Sequence, residues 1–425
     1  MAKNDLPQSH VALLPAPEMG HLIPFLRLSS KLSSSFKCTV TLITFQPSKT
    51  AGESKLIADF FSENPLVQPI DQSLHLLGPL LGSSTRPISA IFSDLFFAAA
   101  VSSIARELGV PFFVLCTTSG RCHSLVSYLP KLISDVPETR GEFEIGEVVE
   151  IPGLEPLPKS LIPSFFLDPD HPFTSGLLLN ARSLPEAKGV LMNSFHRFEP
   201  ESIAGLNGEY LKHPPVFPIG PFESYKHNHT LERGRLLPWL DEQSPESVVY
   251  VSFGSRAEIP RNQITEIRKG LERSGFPFLW VINDSEEKDD DNYELKGRGM
   301  VVREWVEQEA ILAHPAIGGF LSHCGWNSVT EAARFGVPIL AWPQNGDQRM
   351  NAEVVEKAGL GVWVRRWCWC GQETVKGEEI GEKVREAMEN VELREKAREA
   401  GEEARRAVGA GGSSKKTLVE VVAMM

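Results

Sequence analysis

Short apolar runs alternate with longer stretches of helical period through most of the chain. In the first half, runs rich in β-branched and aromatic residues fall at His10–Pro15, Val40–Phe45, Ile88–Ser93, Pro111–Thr117, Gly189–Phe195 and Val216–Ile219. In the second half they fall at Ser247–Phe253, Pro277–Ile282, Met300–Glu304, Gly318–Ser322, Pro338–Trp342 and Gly361–Val364. These runs are nearly continuous in apolar residues, not alternating, as in parallel strands covered by helices on both faces. Strand–helix–strand repetition in both halves predicts an α/β protein of two doubly wound parallel-sheet domains. The pattern breaks near Pro221–Leu236, where the polar stretch Glu223–Thr230 reads as a linker. A first domain over 1–220, a linker over 221–236 and a second domain over 237–412 follow. Open parallel sheets bind ligands at the carboxyl ends of their strands, so chemistry is expected in a cleft between two such domains.

A length of 425 residues fits two domains, and 42% apolar with 23% charged residues is the balance of an ordinary globular protein. The formal net charge of −12 argues against nucleic acid or an anionic membrane surface as partner. No apolar run reaches the roughly 18 residues of a membrane span. Ile88–Cys116 comes nearest and is interrupted by Asp94, Arg106 and Glu107. Met1–His10 is polar and lacks the apolar core of a secretion signal, so a cytoplasmic enzyme without integral membrane association is expected. The six cysteines, at 38, 116, 122, 324, 368 and 370, show no disulfide spacing, and Cys368 and Cys370 stand too close for a CxxC pair. The acidic run Asp284–Asp291 reads as a solvated loop, and 391–407 as an exposed helix laced with Glu/Arg pairs.

The chemistry concentrates in Trp305–Gln348. Gly318–Ser322 reads as a buried strand, His323–Asn327 as a tight turn, and Ser328–Phe335 as a helix ended by Gly336. A turn between a strand's carboxyl end and a helix N-terminus suits a phosphate, because free N–H groups and the helix dipole face it. His323, Asn327 and Ser328 add side-chain donors, and Gly325 lets the backbone approach a ligand. Trp305 could stack a flat base, with Val306 beside it. Gln308 and Glu331 are the residue types that hold a ribose diol, and Asp347 with Gln348 offers partners to further hydroxyls. Singly, Trp305 and Trp326 read as core aromatics and an Asp-Gln pair as surface. Base, ribose, diphosphate and polyol in one stretch describe a nucleotide sugar. No GxGxxG occurs, which removes the main support for a nicotinamide cofactor.

This 44-residue segment resembles the signature box of the plant UDP-dependent glycosyltransferases of secondary metabolism. Matching positions are Trp305, Gln308, His314, Gly319, Phe320, His323 through Ser328, Glu331, Gly336 through Pro338, Pro343, Asp347 and Gln348. The resemblance implies a GT-B fold, two Rossmann-like domains facing a cleft, with the acceptor held by the first and the UDP-sugar by the second. It implies a last helix, 413–425 here, packing back on the first domain. Carried over, Trp305 would stack uracil, Gln308 with Glu331 would bind ribose, and His323, Asn327 and Ser328 would hold the diphosphate beside Ser255. Trp326, Asp347 and Gln348 would contact the sugar. A terminal Gln in the box implies UDP-glucose as donor, and neither a metal nor a further cofactor is expected.

Activating an aromatic nucleophile needs a base. His21 follows the first predicted strand at the expected start of a helix, whose N-terminus disfavours the imidazolium. Asp94 ends another strand of that domain, where a carboxylate could fix the imidazole tautomer. The resemblance puts both on the family's catalytic pair and places Thr117 where it reaches the transferred sugar. Outside the box, Met19–Arg27, Trp239–Arg256 and Gly346–Trp363 look like the plant flavonoid C-glucosyltransferases, which join glucose to a carbon of a phloroglucinol-type ring in 2-hydroxyflavanones or dihydrochalcones. Residue chemistry alone leaves C–C and C–O attack both open, so a phenol O-glucosyltransferase is the alternative. More remote are a UDP-sugar epimerase and a non-catalytic binder. The chain is shorter than the family pattern around Pro65–Ser73 and Asp284–Glu294, the first bordering the acceptor side. Phe96, Phe97, Phe165, Phe166 and Phe173 could line an apolar acceptor pocket or pack as core. A monomer is expected.

Overall fold

The computed structural model describes residues 9–44, 51–64, 67–71, 77–134, 146–224, 236–255, 258–282, 298–303, 306–367 and 373–425. The acidic run, most of the linker, Cys368, Cys370, Trp305 and the residues around Pro65 and Ser73 lie outside them. The chain divides into two compact units, Met1–His227 with Ala407–Met425, and Asn228–Arg406.

The first unit contains β1 (His10–Leu14), β2 (Thr39–Thr44), β3 (Val67–Asp71), β4 (Ala90–Asp94), β5 (Phe112–Cys116), the short strands β6 (Val148–Val149) and β7 (Leu157–Pro158), β8 (Gly189–Met192) and β9 (Val216–Pro218). Seven of them form one parallel sheet in the order β3-β2-β1-β4-β5-β8-β9, and β6 and β7 pair antiparallel by themselves. The continuous apolar runs have a direct cause. Along β1, Val11 and Leu13 enter one core while Ala12 and Leu14 enter another; along β5, Phe113 and Leu115 join the first and Phe112, Val114 and Cys116 the second. Side chains alternate across a strand, and helices cover both faces, so Val11–Leu14 and Phe112–Cys116 are apolar throughout. The helix Ser413–Ala423 adds Leu418 and Val421 to the first of these cores, and Ser414 Oγ donates to the Gly220 carbonyl at 2.7 Å.

β3 is a strand that the pattern of apolar runs does not mark. Pro69 sits in its middle, a residue a central strand excludes; β3 pairs with β2 alone, at the sheet's edge, where a missing donor is tolerated.

The second unit contains β10 (Val248–Ser252), β11 (Phe278–Val281), β12 (Gly299–Val302), β13 (Ile317–Ser322), β14 (Ile339–Ala341) and β15 (Gly361–Trp363), parallel in the order β12-β11-β10-β13-β14-β15. Val249, Val251, Phe278, Trp280, Leu321 and Trp342 share its core. Both sheets reverse direction beside a central strand. From β1 the chain builds β2 and β3 on one side and returns to β4 on the other; from β10 it builds β11 and β12 before β13. Such a reversal leaves a crevice at the carboxyl ends of the two flanking strands. Among the described residues no helix is long and apolar enough to cross a membrane.

Candidate active site

At the first reversal, the segment after β1 meets the ends of β4 and β5. Glu18 turns the chain with φ 104°, and the helix Met19–Phe36 starts at once, so His21 occupies its first turn. Asp94 is the last residue of β4 and Thr117 the first residue after β5. His21 Nδ1 lies 2.7 Å from Asp94 Oδ2 and 3.1 Å from Thr117 Oγ1. A carboxylate only accepts, so the shared proton sits on Nδ1 and Nε2 carries the ring's lone pair. Asp94 is 1% exposed and His21 24%, a buried orienting group behind an accessible imidazole. The other Asp94 oxygen accepts the Phe96 N–H at 3.0 Å, which fixes the carboxylate from both ends.

That same turn carries an aromatic series away from the imidazole. The Phe96 ring is 5.2 Å from His21 and 5.5 Å from Phe173, which in turn lies 5.2 Å from Phe165 and 5.9 Å from Phe166. Four of the five predicted phenylalanines thus form one series of ring contacts that starts at His21, while Phe97 packs against the core instead.

At the second reversal, β10 is followed by Phe253 and Gly254, and β13 by His323. Cys324 takes φ 63°, Gly325 follows, and the helix Trp326–Phe335 begins with no side-chain hydrogen bond at its cap. This helix starts two residues earlier than its periodicity suggested, because Gly325 serves as the cap residue; Asn327 and Ser328 therefore stand inside its first turn, where backbone N–H groups lack helical acceptors. The His323 ring is wedged between two glycines: a Cβ on Gly254 or Gly325 would come within 2.6 or 2.5 Å of Nε2, and Gly254 also needs φ +79°. Burial holds His323 down to about 4, against an opposing backbone hydrogen bond with Ser252. At neutral pH it is an uncharged donor, not a cation.

Gln308, Ser328 and Glu331 form one network. Gln308 Nε2 donates to Ser328 Oγ at 3.0 Å and to Glu331 Oε2 at 2.7 Å, while Gln308 Oε1 accepts from the Tyr250 hydroxyl at 3.1 Å. Tyr250, buried on β10, has its phenol pushed up by burial and further by the Glu331 charge, so it stays a donor and sets the direction of the amide. Val306 and Trp326 are buried, Asn327 half-buried and Ser255 exposed. Asp347 precedes the helix Gln348–Lys357. The Gln348 amide folds onto its own loop, accepting from the N–H groups of Gln344 and Asn345 and donating to Asn345 Oδ1, so a sugar hydroxyl would have to exchange with these bonds.

Two residues of this site escaped the sequence reading. Tyr250 is one; a polar tip inside the apolar run VVYVS was its only signal. Asn351, fully buried, is the other: its Nδ2 donates to the Cys324 carbonyl and to Asp347 Oδ2, each at 3.0 Å, tying the phosphate-type turn to the acidic residue. Its place one helical turn after Asp347 was the available hint.

The family model described as UDP-glucoronosyl and UDP-glucosyl transferase matches residues 237–371. UDP-glycosyltransferase 708C2 of Fagopyrum esculentum is 44% identical over 452 aligned residues, covering 98% of this chain and 95% of that protein. UDP-glycosyltransferase CGT of Oryza sativa subsp. indica is 41% identical, covering 97% and 95%. The crystal structure of LpCGTa in complex with UDP aligns with a TM-score of 0.87 at 38% identity, covering 98% of this chain and 99% of that one. Fold and site together define a glycosyltransferase of the GT-B architecture. Within that class the chain belongs to the plant family 1 UDP-glycosyltransferases, among relatives that include proteins named CGT.

Proposed function

We propose that the protein transfers glucose from UDP-glucose to a ring carbon of a phloroglucinol-type flavonoid, such as a 2-hydroxyflavanone or dihydrochalcone, with inversion at the sugar. The observation that supports it most is the 2.7 Å pair of His21 with buried Asp94, flanked by the Phe96–Phe173 rings. Names carrying CGT among the relatives favour carbon over oxygen as the point of attachment.

In this reading His21 Nε2 removes a phenolic proton, and Asp94 stabilises the imidazolium as it forms. Charge delocalised onto the ortho carbon lets that carbon attack the anomeric carbon as the bond to the UDP oxygen breaks. The ring then loses its proton from the attacked carbon and regains aromaticity. The products are the β-C-glucoside, UDP and one proton. Backbone N–H groups at the start of Trp326–Phe335 and the neutral His323 meet the charge that grows on the leaving diphosphate. Gln308 and Glu331 hold the ribose, and Asp347 and Gln348 the glucose. No step calls for a metal ion.

The test is incubation with UDP-glucose and phloretin, with fragmentation of the product in a mass spectrometer. Cross-ring losses from an added hexose are expected. Clean loss of the whole hexose would make the protein an O-glucosyltransferase.

A further inference from the structure

His21 Nδ1 has two partners, and they are fixed in different ways. Asp94 is the terminal residue of a central strand. Thr117 stands in the three-residue link between β5 and the helix Gly120–Ser134, so its place depends on how that helix begins. The helix has an ordinary cap of its own, since Ser119 Oγ accepts from the Cys122 N–H at 3.2 Å. It also has a second one, from far away in the sequence. Glu199 Oε1 accepts the N–H of Gly120 at 2.7 Å and that of Arg121 at 3.4 Å, across 79 residues.

Glu199 is 4% exposed, and burial pushes its carboxyl up to about 7 against the Ser194 hydroxyl and the two backbone N–H groups. A buried carboxylate is costly to keep, and a helix already capped by serine gains little from it in stability. Contact is close as well: a Cβ on Gly120 would lie 2.8 Å from Ser202 Cβ and 3.1 Å from Met192 Cε. Glu199 and Ser202 open the short helix Pro200–Leu206, so this element grips the first residue of Gly120–Ser134 by packing and by hydrogen bonds together. What such a grip fixes is the direction in which 117–119 leaves the sheet.

We infer that Glu199 is a positioning residue for the base, holding Thr117 against His21 through the start of the helix Gly120–Ser134. The inference rests on the reading of His21 as the base of glucosyl transfer. Its test is a double-mutant cycle in the phloretin assay with Glu199→Ala, Thr117→Val and the double variant, and Glu199→Gln as the milder change should the alanine variant fail to fold. Each single change is expected to lower kcat about tenfold, Glu199→Ala with KM for UDP-glucose unchanged, and the double variant to lose no more than Thr117→Val alone. Losses that multiply in the double variant, or a lowered melting temperature with kcat unchanged, would overturn the inference. His21→Ala, run alongside, keeps the two readings apart. If it retains activity the base assignment itself is wrong; if it is inactive while the losses multiply, only the positioning role falls.

Discussion

The two histidines at the two sheet reversals have the same kind of address and opposite chemistry. His21 follows β1, is accessible, and has a buried carboxylate behind Nδ1. His323 follows β13, is clasped by Gly254 and Gly325, and is held neutral to about 4 by burial. A carboxylate partner favours an imidazolium and desolvation opposes one, so the surroundings suit His21 to the proton uptake that the proposed mechanism asks of it, while His323 stays neutral with one ring nitrogen a donor and the other an acceptor. The strand-end position supplies a crevice in both units, and what stands next to the ring is what separates the two proposed roles, base for His21 and diphosphate donor for His323.

The largest expected effect breaks this comparison at its first member. His21→Ala is expected to lower transfer by about a thousandfold, in the usual range for loss of a general base, while calorimetric UDP affinity stays within twofold. Asp94→Asn should come close to the same loss by offering the ring the wrong tautomer. An active His21→Ala enzyme would leave the two histidines without a functional difference.

Next in size is Asn351→Asp. It preserves shape but puts a carboxylate where both neighbours, the Cys324 carbonyl and Asp347, are acceptors. The buried clash is expected to cost at least ~2 kcal/mol of UDP-glucose affinity, about thirtyfold, with no change in the environment of His21. Unchanged donor affinity would mean that the turn at Cys324 is held without this amide.

A neutral histidine pair in the first unit also sets an acid limit on the fold. His123 and His213 share a hydrogen bond between their Nε2 atoms at 2.9 Å, and burial holds His213 down to about 4 and His123 well below 6.5. These folded values lie below the unfolded one, so the unfolded chain takes up protons first. The stabilisation is complete above pH 6.5 and is lost as pH falls toward 4. For His213 alone the loss between pH 7 and pH 5 is about 2 kcal/mol. Denaturant titrations of the protein and of His213→Asn over that range should show a steeper fall for the former; parallel curves would remove the pair from the acid response.

The same contrast explains what could be read from the sequence. The strands of both sheets were legible because burial on both faces makes them continuous apolar runs, and β3 was not, because an edge strand tolerates Pro69. The candidate donor site could be read because Gln308, His323, Ser328, Glu331 and Asp347 sit in one stretch. The candidate base site was less legible: strand-end positions suggested His21 with Asp94, 73 residues apart, but Thr117, 96 residues from His21, was named by the resemblance alone. Tyr250, Asn351 and Glu199 went unread for a related reason. Each acts through a hydrogen bond to another strand or helix, and periodicity reports which face a residue takes, not whom it meets there.

The smallest expected effect sharpens the comparison where the donor site looks most self-contained. Tyr250→Phe removes one hydrogen bond, from the hydroxyl to Gln308 Oε1, and leaves the ring stacked on Phe320 at 4.7 Å. Gln308 would keep Ser328 and Glu331 as acceptors, but its carbonyl would lose the donor that distinguishes it from the amino end. The expected cost is ~1 kcal/mol, read as about a fivefold weaker UDP affinity, with the kcat of bound donor unchanged. No loss would mean that the contiguous stretch orders its own ribose site. A fivefold loss would mean that it leans on β10 for its alignment, much as His21 leans on the ends of β4 and β5, so that the apparent independence of the signature stretch is a property of its sequence and not of its structure.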